Sequence, residues 1–234
     1  MPTVTALLAQ PRKRTNIHLF LDGEPAFDLH RKVAEEAGLF VGLDLSVEQV
    51  QELQQRNAYF RALDAAYRFL AHRTRSEAEV RTRLARGKIA PDLMEQVVAK
   101  LKQQRFLDDV EFARQWAERR AVQSPRSRAV VRWELRTKGV EAGVIEEVLE
   151  SLDDDEAAHT AGQRKASRLT SRDYQEFRKL LWDFLMRRGF RYDVTGRAVE
   201  RLWRELRPDP APENDLAGTP EVQQRNEAAN GRSS

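Results

Sequence analysis

The sequence predicts a mainly α-helical protein, three tandem copies of a three-helix repeat with a short N-terminal β-hairpin, and three observations carry that expectation. From Ala58 to Leu206 apolar residues return at three- and four-residue spacing almost without interruption, the period of an amphipathic helix. Apolar positions also recur in register over a longer interval, the mark of an internal repeat. The composition agrees: 41% hydrophobic and 33% charged residues, with a mean hydropathy of -0.67, describe much exposed surface, as in arrays whose elements have few neighbours.

Residues 1–14 read as a flexible arm ending in Arg12-Lys13-Arg14. In the 15–45 segment the period falls to two: Ile17, Leu19 and Leu21 alternate with Asn16, His18 and Phe20 before the turn chemistry of Asp22-Gly23-Glu24-Pro25, which predicts a hairpin. Ser46 with Gln49 has capping-box form and opens a helix over 46–56, the start of a 46–107 unit holding a leading helix and the first repeat. The stripe Tyr59, Leu63, Tyr67 and Leu70, the box Ser76 with Glu79, Pro91 in a first turn and the acidic cap Asp108 with Glu111 mark further helices. Stops and starts around Ser124-Pro125, Gly139, Asp153 to Asp155, Ser171, Gly189 and Asp193 complete about nine helices of roughly 11 to 17 residues, with a second repeat over 108–152 and a third over 153–206. The proline-rich, acidic segment 207–234 lacks the apolar surface to offset its ordering entropy and is expected to be disordered.

The repeat is anchored on Leu84, Leu135 and Leu185, 51 and 50 residues apart. Four residues before each anchor stand Val80, Val131 and Leu181, and five after it Ile89, Val140 and Phe190. The register extends to Val98, Leu149 and Val199, then to Leu101, Leu152 and Leu202. Glycine stands four after the anchor at Gly139 and Gly189, where a left-handed helix stop favours it. The first copy has Lys88 there and its glycine at Gly87, so a different turn is expected.

The net charge of +3 hides a pattern. Residues 56–150 carry 20 basic against 14 acidic side chains and residues 156–207 carry 13 against 7, with arginine far outnumbering lysine. Arg128, Arg132 and Arg136 fall at i, i+4 and i+8, a row on one helix face, and Arg126 and Lys138 extend it. Arg73, Arg75, Arg81 and Arg83, with Arg86 and Lys88, form a like cluster in the first copy, and Arg187 and Arg188, with Arg191, one in the third. Such patches suit phosphates or an acidic protein groove, and equally a solvated face of surface pairs. Trp116, Trp133, Trp182 and Trp203 read as core residues rather than base-stacking platforms, and the Asp108-Asp109 and Asp153-Asp155 runs as helix caps.

Much is excluded. Zero cysteines remove disulfides, thiol catalysis and thiolate zinc sites, and His18, His30, His72 and His159 are scattered, so neither metal nor cofactor is expected. No phosphate loop, nucleophile elbow or zinc helix occurs, and no active site is expected. No apolar run reaches the ~20 residues of a membrane span, and Met1 to Gln10 lack the pattern of a leader, so no membrane contact and a cytoplasmic location are expected.

Four motifs carry a resemblance to the RecX family of recombination regulators: Arg73-Thr-Arg-Ser-Glu-Ala-Glu-Val-Arg-Thr-Arg-Leu84, Arg105-Phe-Leu-Asp-Asp-Val-Glu-Phe-Ala113, Leu135-Arg-Thr-Lys-Gly-Val140 and Arg187-Arg-Gly-Phe190. The resemblance covers about 58–206 and departs from the family pattern at Ser124-Pro125-Arg126, where a glycine-containing turn is usual. It implies a crescent of three repeats that lodges in the groove of a RecA nucleoprotein filament and restrains the recombinase; the protein is expected to be non-enzymatic and a monomer, with DNA phosphates as a further contact. The reading from another class is a free-standing helical DNA-binding protein that acts on recombination indirectly.

Overall fold

The computed structural model describes residues 1–10 and 15–207; the basic end of the expected arm and the expected disordered tail beyond Arg207 lie outside them. The N-terminal unit is a three-stranded antiparallel sheet, β1 (Val4–Ala9), β2 (Asn16–Leu21) and β3 (Glu24–His30), in that order. The expected hairpin is β2 and β3, joined through Asp22 and Gly23, both at positive φ as a tight two-residue turn needs. Residues 4–9 are a strand and not part of an arm. The irregular apolar run Val-Thr-Ala-Leu-Leu-Ala has no clean alternation, but it pairs Leu7 with Leu19 and buries Val4 completely.

A short helix, α1 (Arg31–Glu36), follows, with the His30 imidazole accepting from the Lys32 backbone N–H at 3.2 Å. The next helix differs from expectation in length. The 46–56 helix and the stripe from Tyr59 are one element, α2 (Val47–Leu70), of 24 residues. Its Ser46–Gln49 capping box is present, and no break falls near Asn57 because the buried Asn57 side chain ties the helix to the sheet. Asn57 Nδ2 donates to the Asp28 carbonyl at 2.7 Å and Oδ1 accepts from the His30 N–H at 2.8 Å. Leu53 on this helix joins the core of the sheet, whereas Ala62, Leu63 and Ala66 join the first repeat.

The first repeat is completed by α3 (Glu77–Arg86) and α4 (Pro91–Gln103). The second is α5 (Asp109–Gln123), α6 (Arg128–Thr137) and α7 (Ala142–Glu150); the third is α8 (Asp154–Ala166), α9 (Tyr174–Met186) and α10 (Tyr192–Leu206). Each has its own core, and the anchors Leu84, Leu135 and Leu185 are buried at its centre with Val80, Val131 and Leu181 one turn earlier. The three cores are separate because each repeat buries its apolar stripe internally, which leaves polar and backbone groups to join one repeat to the next. In the third repeat α8 and α10 lie so close that a Cβ on Gly162 would stand 2.5 Å from Leu202 Cδ1.

The helix stops match the expected glycines, with φ of 76° at Gly139 and 84° at Gly189. The first copy does not use another turn: Lys88 itself takes the left-handed conformation at φ 56°, and Gly87 stays at negative φ. None of the helices of the described residues is long and apolar enough to cross a membrane.

Candidate functional site: the repeat junctions and their arginines

Successive repeats meet in the same way twice. The N-terminus of the middle helix of one repeat closes on the helix stop and the first-helix start of the next. At the first junction Ser76 Oγ donates to the Lys138 carbonyl at 2.6 Å, and the Glu77 N–H donates to Asp109 Oδ1 at 2.8 Å. At the second the Ser127 N–H donates to the Arg188 carbonyl at 3.3 Å, and the Arg128 N–H donates to Asp154 Oδ1 at 2.7 Å. The paired aspartates are therefore caps, as their helix-start positions suggest, but they divide the work. Asp108 and Asp153 cap their own helices, while Asp109 and Asp154 each satisfy an orphan N–H in the preceding repeat. Half-burial pushes the Asp109 carboxyl above the ordinary aspartate value.

These contacts explain the glycines. A Cβ at Gly139 would stand 2.3 Å from Ala78 Cβ, and one at Gly189 would stand 2.3 Å from Val130 Cγ2 and 2.9 Å from Ser127 Oγ. No middle-helix N-terminus presses on Lys88, because no repeat precedes the first, and a side chain is tolerated there.

Most of the expected site residues turn out to be engaged within the fold. Arg81 bonds Glu77 and forms a two-pronged pair with Glu95 on α4, and Arg132 does the same with Glu146 on α7, both bonds at 2.7 Å. These pairs clamp middle to last helix at equivalent places; in the third repeat Trp182 over Gly196 replaces the ion pair. Arg73 makes bonds of 2.8 and 3.2 Å to Glu79, Lys138 Nζ lies 3.2 Å from the same carboxylate, and Arg75 stacks on Phe69 at 4.1 Å. Burial works to raise the Glu79 pKa, yet the Arg73 and Lys138 hydrogen bonds outweigh it and hold the carboxyl below its usual range. At the second junction Arg188 stacks on Phe184 at 4.4 Å and donates to Ser124 Oγ and the Pro125 carbonyl, while Arg126 donates to the Arg187 carbonyl at 3.4 Å. The Ser124-Pro125-Arg126 departure is thus built into the junction.

Arg83, Arg128, Arg136 and Arg187 remain with side chains that make no hydrogen bond or ion pair within the described residues. Arg83, Arg86 and Arg136, with Thr82 and Thr137, line a cleft of about 360 Å³ between α3 and α6. Trp133 stands one turn before Thr137 on α6 and is 67% exposed, contrary to the core position expected for it. The reason is angular: Val131 and Leu135 face the core, and residue 133 between them points away. Trp116, Trp182 and Trp203 do pack, partly buried, against their repeat cores.

Sequence reasoning missed three cations, Arg164, Lys165 and Arg168, which line a second cleft of about 320 Å³ with Arg188, Phe184 and Pro125. Arg164 and Lys165 stand near the end of α8 and Arg168 just beyond it, away from the middle helices on which the arginine clusters were sought.

Three stacked three-helix units, joined end to end through capped helix termini and carrying unpaired arginines on their middle helices, define a tandem helical-repeat protein built to present an extended surface. Sequence profiles for the first, second and third three-helix domains of RecX match residues 62–101, 108–149 and 153–199 in turn, and the chain belongs to the RecX family. It is 30% identical to the regulatory protein RecX of Lactobacillus gasseri over 207 residues, covering 86% of this chain and 75% of that one. To the regulatory protein RecX of Bacillus velezensis it is 28% identical, over 86% of this chain and 78% of that one. The crystal structure of a regulatory protein RecX superposes with a TM-score of 0.64 at 19% identity, over 86% of this chain and all of the other. That of RecX from Lactobacillus salivarius gives 0.56 at 21% identity, over 63% of this chain and 97% of the other.

Proposed function

We propose that this protein is a non-enzymatic modulator of the RecA recombinase that inhibits it by seating along the groove of the RecA–DNA filament. The observation that carries the reading is the surface around the α3–α6 cleft. Arg83, Arg86 and Arg136 have no partner there, and an exposed indole stands beside them, the combination that anchors protein interfaces. Guanidiniums committed to Glu95 and Glu146 brace the first and second repeats internally, and Lys138 on Glu79 ties one to the other, which supports a surface in which the free guanidiniums face a partner together. A rigid array loses little freedom on binding, which favours affinity.

The test is RecA-driven ATP hydrolysis on single-stranded DNA. The chain is expected to lower it at substoichiometric ratios, and an Arg83→Ala/Arg86→Ala/Arg136→Ala variant, still folded by circular dichroism, is expected to need more than about tenfold higher concentration for the same effect. Unchanged hydrolysis at equimolar protein sinks the proposal. If the chain then binds DNA without RecA, with a steep salt dependence, the free-standing DNA-binding reading takes its place.

A further inference from the structure

The two junctions share their aspartate cap and their glycine stop, but only the first holds a carboxylate among its cations. Position 79 in the first copy corresponds to position 130 in the second, 51 residues on, just as Ser76 corresponds to Ser127 and Arg75 to Arg126. Lys138 and Arg188 likewise occupy one place, immediately before the glycine of the helix stop. At the first junction Glu79 gathers Arg73, Arg75 and Lys138 around one carboxylate. At the second the corresponding residue is Val130. Arg126 and Arg188 meet only neutral acceptors, the Arg187 and Pro125 carbonyls and the Ser124 hydroxyl. The Nε of Arg126 is buried with no partner, as is that of Arg75 at the first junction. Burial, and then the nearby Arg126 guanidinium, depress the Arg188 pKa, as expected of two like charges brought together without a counter-ion.

We infer that the second junction is a binding site for a phosphate group, which supplies Arg188 with the counter-charge that the Glu79 carboxylate supplies to the cations of the first. The cleft in front of Arg188 has the right chemistry. Arg164 and Lys165 of α8 and Arg168 just after it line the cleft together with Arg188, and no carboxylate does. None of these three side chains is tied to a carboxylate elsewhere among the described residues, so no internal pair must break for a ligand to enter. At about 320 Å³ the cleft has room for one or two phosphates rather than a drug-sized molecule. Guanidinium forks match phosphate oxygens bidentately, and a dianion or phosphodiester approached by four cations gains charge-assisted bonds on several sides. The site is independent of whether RecA is the partner. The phosphate can come from a free pyrophosphate-like ion or from a nucleic-acid backbone.

The experiment is calorimetric titration of the full chain with sodium pyrophosphate and, separately, with a short oligothymidylate. Saturable binding of either supports the inference, and the pair tells a free ion from a phosphodiester. Arg164→Ala/Arg168→Ala is expected to weaken binding by more than about tenfold. Val130→Glu, which supplies the missing carboxylate, is expected to do the same, with circular dichroism reporting an intact fold. Arg119→Ala/Arg204→Ala removes the same charge from exposed sites outside the cleft and is expected to leave affinity within about twofold. The inference is overturned if that control weakens binding as much as the cleft pair, if neither probe saturates below about 10 mM, or if an oligoglutamate peptide saturates the site and neither phosphate probe does. Should Val130→Glu unfold, the Arg164 and Arg168 variant and its charge-matched control decide alone.

Discussion

At the first junction one carboxylate, Glu79, sits among three cations; at the second a valine sits beside two. Much else about the joint is repeated: the serine at the cap, which meets the facing carbonyl through Oγ at the first and through its N–H at the second, the aspartate reaching back to the next N–H, and the glycine under the middle helix. The geometry of an interface between repeats is therefore set by backbone groups and by the absence of a Cβ. The charge there is free to vary, closed in one copy and open in the other. An arginine cluster seen in sequence can accordingly be spent internally, as Arg73 and Arg81 are, or left for a ligand, as Arg164 and Arg168 are.

The largest effect should come from filling the space under the middle helices. Gly139→Ala or Gly189→Ala combines a left-handed φ with a contact of 2.3 Å, and each is expected to cost about 2–4 kcal/mol in urea denaturation. Lys88→Gly, at the equivalent place, is expected to be neutral or to stabilise by up to about 1 kcal/mol, since it relieves the same φ with nothing overhead. Equal costs at all three positions would break the distinction between the joined turns and the free one.

A smaller and pH-dependent effect should separate the junctions themselves. Glu79 has a folded pKa below the ordinary glutamate value of 4.5, so its contribution is present in full above 4.5 and is lost as the pH falls through the folded value. Glu79→Gln is therefore expected to lower the melting temperature at pH 7 and to converge with the parent as the solution is acidified below 4.5. Because position 130 has no carboxylate, Val130→Ala should leave a deficit that does not shrink with acid in this way. A Glu79→Gln deficit that stays constant down to pH 3 would mean that the carboxylate does not balance the three cations.

The smallest predicted changes are at the caps that cross between repeats. Asp109→Ala and Asp154→Ala each leave one helix N–H without its acceptor, at about 1 kcal/mol. Amide exchange at Glu77 and Arg128, respectively, should rise about tenfold. A rise at only one of the two would show that the joints are not equivalent in their backbone contacts either.

The helical array was legible because each helix carries its own signals, and Ser46, Ser76, Pro91 and Asp108 stand where their caps are needed. What the sequence hid was decided by distant partners. β1 owes its strand to Leu19 and Leu21 across the sheet, and α2 runs through Asn57 because that side chain is occupied by β3. Lys88 keeps a side chain in a glycine's conformation at an exposed turn, a tolerance set by its surroundings that no local pattern encodes. The arginines were recognisable as clusters but not as paired or free, since pairing depends on carboxylates up to 59 residues away, as between Lys138 and Glu79. Trp133 was misjudged by its type, although its offset from Val131 and Leu135 was there to be read.

Lys88 also gives the array a beginning. At each join a bare backbone lies beneath the incoming helix, and the first repeat carries a lysine at the equivalent place. At the other end Arg207 folds over Trp203 at 3.6 Å and donates to the carbonyls of Thr170 and Arg172, occupying backbone acceptors ahead of α9. The leading turn thus carries a side chain where the two joined turns carry none, and the last repeat covers the backbone ahead of its middle helix with its own final arginine.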